Sequence, residues 1–380
     1  MVYGVTSGIS AYTLLRGQLA WMASQGMRVL LVSNPDDEAI TAAEREGVEF
    51  RGIAMTRRIS PLADLRALSG WLRLLSSARP QAVNASTPKA ALLGHLASCL
   101  VGVPRRIYVV RGLRVEGASG IAGALLWLTE RLTMALATDV VFVSVSLAAQ
   151  AHRRRLIKPG RGWLVGAGSS NGVDAAAVSK RVISVDKARL RAELGIAPDA
   201  FVLGFVGRIT GDKGVDTIVR AMRSPALNSA TRFLVIGVIE DDALAVAIRA
   251  LGDTVRVIPW TDDVWGHLPA MDVLCLPTRR EGFPNVVLEA AAAGIPAIVT
   301  NATGAVDSVI DGETGYIIDI GDDRALVERL NELASAPDRL RELGTAARAR
   351  VERDFAPERI WQGVHSITEG RGVTADVTRV

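Results

Sequence analysis

Short apolar runs recur along the chain, separated by longer stretches whose apolar residues fall at helical spacing. In the first half the runs fall at 2–6, 27–33, 80–84, 105–111 and 139–145, with helical patterns between them, such as Tyr12 to Ser24 and Lys89 to Leu100. In the second half, strands are expected near 201–207, 231–237, 254–258, 271–277, 296–300 and 315–319. Helices follow at about 213–222, 240–251, 284–293 and 322–335. Strands that alternate with helices predict parallel α/β architecture. Two such halves predict two Rossmann-like lobes facing a cleft.

The turn-forming pair Asn171-Gly172 leads into a helix pattern starting near Val185, which puts the boundary between Asn171 and Asp186. The expected domains are 1–178 and 179–356. From Pro337 to about Ile367 the pattern reads as consecutive helices broken by Pro357. The last of them, about 357–369, is expected to pack back on the first lobe through Ile360-Trp361, with a frayed end from Gly370 onward. The first strand, Val2-Tyr3-Gly4-Val5, is shorter than a central strand usually is. Either the chain begins late or that strand is trimmed.

A length of 380 residues fits two domains, and 49% hydrophobic residues fit folded ones. Cys99 and Cys275 lie in apolar segments and read as buried small hydrophobes, without metal spacing or a disulfide framework. No signal peptide is evident, and no run approaches the roughly 18–20 apolar residues of a membrane span. A cytoplasmic protein is expected, peripheral on the inner face of the membrane if it binds one. The net charge of +4 conceals an imbalance: residues 1–180 carry 21 Lys+Arg against 11 Asp+Glu, and the rest carry 23 against 29. A basic first half implies an anionic partner. Nucleic acid is the poorest candidate, because the cations are scattered and aromatics make up 5%.

Two segments carry the chemistry. Glu281 and Glu289 flank Gly282-Phe283-Pro284-Asn285-Val286, with a strand before them and an alanine-rich helix after. Proline favours the first helical position, so Pro284 is expected to open that helix, and the two carboxylates are expected to converge on the crevice above the strand ends. A glycosidase pair needs carboxyl groups roughly 5–10 Å apart. The present spacing reads better as two grips on one extended ligand, a carboxylate being able to accept from both hydroxyls of a diol. Two solvated glutamates flanking a helix start are the plain alternative. The second segment is Phe201 to Gly214, a buried strand followed by a glycine-rich turn with Gly207, Arg208, Gly211 and Lys213. Arg208 and Lys213 are expected to face one anion, helped by the following helix N-terminus. No GxxxxGK[ST] run is present, which argues against a P-loop NTPase.

Together these motifs resemble the nucleotide-sugar site of the family-four retaining glycosyltransferases, which have the GT-B fold. The resemblance spans nearly the whole chain through Thr6-Ser7-Gly8-Ile9-Ser10, Asn171-Gly172-Val173-Asp174, Gly207-Arg208, Lys213-Gly214, the glutamate pair and Asp311-Gly312-Glu313-Thr314-Gly315. Ser86-Thr87-Pro88-Lys89-Ala90 and Gly168-Ser169-Ser170-Asn171-Gly172 resemble bacterial members that build lipid-linked oligosaccharides or surface polysaccharides.

The resemblance implies transfer from a UDP-sugar to a lipid-linked or polysaccharide acceptor, with retention of configuration. Arg208, Lys213 and Glu281 would carry catalysis. Glu289 would bind the ribose, Glu281 the donor sugar, and backbone N–H groups of Phe283-Pro284-Asn285-Val286 the sugar and phosphate. The Gly8 loop would meet the diphosphate. The base would rest near Pro259-Trp260-Thr261-Asp262, with Trp260 either a stacking platform or a loop aromatic packed on the core. Many relatives have histidine where this chain has Arg111. Arg111 is therefore an acceptor-side or sugar-side candidate, as is Lys89, with an exposed structural arginine the alternative for the former. His95 is expected to be packed. No Asp-x-Asp triplet occurs, so neither metal nor cofactor is expected. The apolar stretch Gly120 to Met134 reads as a core helix, with membrane-surface contact beside Arg111, Arg114 and Arg153-Arg154-Arg155 as the sharper alternative. A sugar-nucleotide 2-epimerase of the same fold, or a non-catalytic sugar-nucleotide-binding protein, is the competing function.

Overall fold

The computed structural model describes residues 1–56, 60–371 and 376–380. Contacts divide the chain into two units, Met1–Gly172 with Pro357–Val380, and Val173–Ala356.

The first unit is built on β1 (Val2–Gly4), β2 (Leu30–Ser33), β3 (Glu49–Gly52), β4 (Ala82–Ala85), β5 (Arg105–Val110), β6 (Asp139–Phe142) and β7 (Gly162–Val165). Strand order is 7-6-5-4-1-2-3, all parallel. Every residue of β1, β4 and β6 is buried, as expected of strands covered by helices on both faces. Trp71 and Leu75 of the helix Pro61–Ala78 are fully buried against Val2, Val32 and Val83.

The second unit holds β8 (Phe201–Val206), β9 (Thr231–Ile236), β10 (Val255–Ile258), β11 (Val273–Leu276), β12 (Ala297–Thr300) and β13 (Gly315–Ile318). Its sheet runs 10-9-8-11-12-13, again all parallel.

Several expectations are corrected here. The pattern from Tyr12 to Ser24 is two helices, Gly8–Leu14 and Gln18–Ser24. They part at Gly17, whose φ of 77° is left-handed and whose N–H donates to Glu46. Residues 173–178 go with the second unit, because the whole helix Ala175–Ile183 packs there; the Ser179 hydroxyl donates to the Ala292 carbonyl and Arg181 pairs with Asp263. Beyond Gly370 the chain is not simply frayed. Val377–Arg379 form β14, antiparallel to β7, while residues 372–375 lie outside the described residues. The helix Pro357–Thr368 belongs to the first unit, where the Trp361 indole N–H donates to Asn171 at 2.8 Å. Cys275 is buried, but Cys99 is exposed near the end of its helix.

Candidate active site

In an open parallel sheet, ligands bind beyond the carboxyl ends of the strands where the strand order reverses. In the second unit that point lies between β8 and β11, since β8 is followed outward by β9 and β10 while β11 starts the other wing. The loops that leave these two strands are the Gly207–Gly214 turn and the 277–284 loop. Both chemically marked segments therefore emerge at one place.

Glycines bring those loops into register. Gly214 has φ +68°, and a Cβ there would lie 1.8 Å from the Pro277 carbonyl oxygen at the end of β11. Gly237, after β9, would put a Cβ 2.0 Å from the Gly207 carbonyl oxygen. Gly304, after β12, would meet the carbonyls of Gly282 and Glu281. No side chain fits at these approaches, so the backbone itself forms the site. The Thr278 hydroxyl then donates to the Asp212 carbonyl at 3.0 Å, and the Arg279 N–H donates to the same carbonyl.

Lys213 and Glu281 are brought together. The ammonium donates to the Glu281 carboxylate, with both side chains less than a fifth exposed. Arg208, in the same turn, is aimed elsewhere: it pairs with Glu240 at 2.8 Å, and both side chains are about half exposed. The expectation that Arg208 and Lys213 face one anion is thus not met in this conformation, because each cation has taken a separate carboxylate. An exposed pair such as Arg208–Glu240 is worth at most about 1 kcal/mol and is easily exchanged for a stronger anion. At Asp212 itself the cations prevail. Burial pushes the Asp212 carboxyl up, but the Thr210 hydroxyl and the charges of Arg280, Lys213 and Arg208 outweigh it and hold it below the ordinary carboxylate value.

Pro284 is the N-cap of the helix Asn285–Ala292, not its first residue. Proline has no N–H, so it cannot join Phe283, Asn285 and Val286 as a backbone donor. Asn285 and Val286 occupy the first two helical positions, whose N–H groups have no acceptor within the helix. The Phe283 ring is turned inward, 5.4 Å from Phe355. Glu289 lies more than a turn into the helix and is half-buried. Trp260 follows the edge strand β10 and is 57% exposed, which rules out the core-packed reading. Asp263 in the same loop caps the next short helix through the Gly266 N–H and pairs with Arg181.

The first unit has its own reversal point, between β1 and β4, and it is occupied differently. The Thr6 N–H donates to the Thr87 hydroxyl at 2.8 Å, joining the two loops. The Gly8 N–H, expected to meet a diphosphate, donates instead to Asp36 at 3.1 Å. A Cβ at Gly8 would lie 1.8 Å from the Asp36 carboxylate, so this glycine serves the capping of the helix Asp37–Glu46. Lys89 is held by Asp64 at 2.6 Å, and its side chain is 13% exposed; it joins two helices instead of offering a free cation. Arg111 sits beyond β5 and donates from Nη1 to the Ser170 carbonyl at 2.7 Å. Its Nε is buried without a partner. Burial pushes its guanidinium down to about 10, the Tyr3 hydroxyl opposing that shift. The exposed structural alternative for Arg111 is therefore set aside. His95 is buried with Nε2 3.1 Å from the Ile107 carbonyl and has no role at the surface.

Sequence reasoning missed Arg279, Arg280, Asp212 and Asp216. Arg279 donates to Asp216 at 2.9 Å, and Arg280 pairs with Asp212 at 3.3 Å, stitching the two marked loops together. The signal was the Arg279-Arg280 doublet directly before Glu281. Glu240 gave no signal, since only the alignment of β8 beside β9 brings it to Arg208.

A parallel sheet with a glycine-lined turn at its reversal point defines a doubly wound α/β protein. Comparison with known proteins defines it further. The family model described as glycosyl transferases group 1 matches residues 186–350, and that described as glycosyl transferase 4-like domain matches residues 7–168. The capsular polysaccharide biosynthesis glycosyltransferase CapM of Staphylococcus aureus is 34% identical over 362 residues, 93% of each chain. An Escherichia coli UDP-Gal:alpha-D-GlcNAc-diphosphoundecaprenol alpha-1,3-galactosyltransferase is 25% identical over 73% of this chain and 72% of its own. Among solved structures, Anabaena Alr3699/HepE in complex with UDP-glucose superposes with a TM-score of 0.80 at 19% identity, covering 97% of this chain and 99% of that one. That likeness fixes the fold as GT-B. The chain belongs to the group 1, family-four-like glycosyltransferases, and it is a glycosyltransferase enzyme.

Proposed function

We propose that the protein transfers a hexosyl or N-acetylhexosaminyl residue from a UDP-sugar to a lipid-linked or polysaccharide acceptor, with retention of anomeric configuration. The observation that carries this reading is the meeting of Lys213, Glu281 and the glycine-lined loops at the reversal point of the second sheet. The diphosphate of the donor takes the place of the carboxylates that now occupy Lys213 and Arg208. Arg208 turns from Glu240, Lys213 from Glu281, and both stabilise the charge that grows on the departing diphosphate. Glu281, once released, accepts hydrogen bonds from hydroxyls of the donor sugar. Glu289 takes the ribose, and Trp260 offers its face to the base.

The helix opening at Asn285 adds N–H groups and a favourable dipole toward sugar and phosphate. These cations do the work of charge neutralisation without a divalent ion. The UDP and UDP-glucose complexes of the Anabaena structures, and the diphosphoundecaprenol acceptor in the Escherichia coli relative's name, support the choice of donor and acceptor classes. On this reading the enzyme works at the cytoplasmic surface of the membrane.

The test is donor hydrolysis with a panel of nucleotide sugars in the presence of EDTA. One UDP-sugar should be turned over, slowly and without acceptor. Absolute dependence on a divalent ion, or preference for a different nucleotide, contradicts the reading.

A further inference from the structure

The helix Gly120–Leu136 is not a core helix over its whole surface. Ile121 is 91% exposed, Leu125 45%, Leu128 56% and Leu132 45%. At 100° per residue these four side chains fall within a narrow arc, a stripe along about 16 Å of helix. On the opposite face Gly123, Glu130, Thr133 and Met134 are buried. Glu130 is turned inward to the Tyr108 hydroxyl at 2.5 Å, so no carboxylate of the helix faces outward. Contiguous exposed apolar stripes of this kind mark contact surfaces.

Positive charge is fixed along one flank of the helix. The Trp127 indole N–H donates to the Arg154 carbonyl at 2.8 Å, and Arg131 Nη1 donates to the Arg155 carbonyl at 2.5 Å. These bonds tie the turn Arg153-Arg154-Arg155 to the helix. Arg155 is left-handed, with φ 55°, a conformation an arginine rarely adopts unless its surroundings hold it there. Between Arg111 and Arg161 the chain carries 8 Lys+Arg against three Asp+Glu, and two of those acids, Glu130 and Asp139, are buried. Among the described residues no helix is long and apolar enough to cross a membrane.

We infer that this helix lies in the surface of a lipid bilayer with anionic headgroups, the leucine stripe entering the acyl boundary and the arginine turn resting on the headgroups. Apolar area supplies one part of such binding and each basic side chain adds to it. The inference deepens the proposed function by naming the surface that meets a lipid-borne acceptor.

Flotation of the full chain with vesicles tests it. The protein should float with vesicles of phosphatidylcholine and phosphatidylglycerol, stay behind with phosphatidylcholine alone, and be released as salt is raised. Leu125→Glu combined with Leu128→Glu, both at exposed positions, should abolish flotation with the circular dichroism unchanged. Arg153→Ser with Arg155→Asn should weaken it on the order of 25-fold, about fivefold per arginine. Equal flotation of the variants and the parent overturns the inference. So does equal binding to both vesicle types, or a homodimer that Leu128→Glu dissolves while flotation persists. Donor hydrolysis without vesicles is scored separately: turnover without flotation sinks only the docking surface, and flotation without turnover sinks only the donor assignment.

Discussion

The two sheets share a strand order up to the length of one wing, yet their reversal points have opposite electrostatic states. In the second unit the cations at that point sit in pairs on glycine-lined loops, Arg208 with Glu240 at the surface and Lys213 with Glu281 beneath it. In the first unit the same topological place is closed by a threonine pair, the Gly8 amide is capped by Asp36, and Lys89 is locked to Asp64. Topology alone therefore does not make an anion site. On the proposed reading, what distinguishes the second unit is that both ion pairs sit on the loops that leave β8 and β11 or beside them, so a ligand can take their cations.

The largest effect that sharpens this contrast is on turnover. Glu281→Ala, Lys213→Ala and Arg208→Ala should each lower the rate on the order of 10²–10³-fold in a donor-transfer assay, with the fold intact by circular dichroism. Rates within a few fold of the parent in all three would remove the distinction. Next comes Gly214→Ala. It places a Cβ against the Pro277 carbonyl at a left-handed φ, so the turn must shift, and stability should fall by about 1–3 kcal/mol in chemical denaturation. Lys89→Ala should do the reverse of the catalytic variants: activity near the parent's and stability lower by about 1 kcal/mol, because Asp64 loses its partner.

A smaller effect is readable in pH. Burial pushes Glu130 up to about 7, against the lowering from Tyr108 and Arg114, while burial pushes His95 down to about 4. The raised carboxyl binds more protons folded than unfolded, so its contribution is complete below about 4.5 and is lost as pH rises toward 7. The depressed imidazole acts in the opposite sense, its contribution growing between about 4 and 6.5. Glu130→Gln should leave only the histidine's part, and stability should then rise more steeply with pH across that window. An unchanged profile would show that Glu130 stays charged.

Much of this was legible in the chain. Apolar runs placed the expected strands within a few residues, because buried parallel strands are continuous and bounded by turns. The Glu281–Glu289 segment and the Arg208–Lys213 turn could be read as one site, since the ends of β8 and β11 are adjacent by topology. What was not legible depends on contacts between distant segments. Glu240 reaches Arg208 only through strand pairing, and Asp36 claims the Gly8 amide across 28 residues. Pro284 was misread locally: its place as N-cap and its missing N–H were both open to inspection. The face of Gly120–Leu136 was ambiguous because its alanines and leucines are apolar nearly all round, and only packing decides which side is covered.

The central claim is that the second unit binds a nucleoside diphosphate through displaced ion pairs at its sheet reversal. Calorimetric titration of UDP into the parent and into the Arg208→Ala/Lys213→Ala double variant, both in EDTA and over a range of salt, tests it most directly. The account predicts binding by the parent that weakens with salt, and a loss on the order of 100-fold in the double variant, as expected for two charge-assisted contacts. Equal affinity in the two proteins would contradict it.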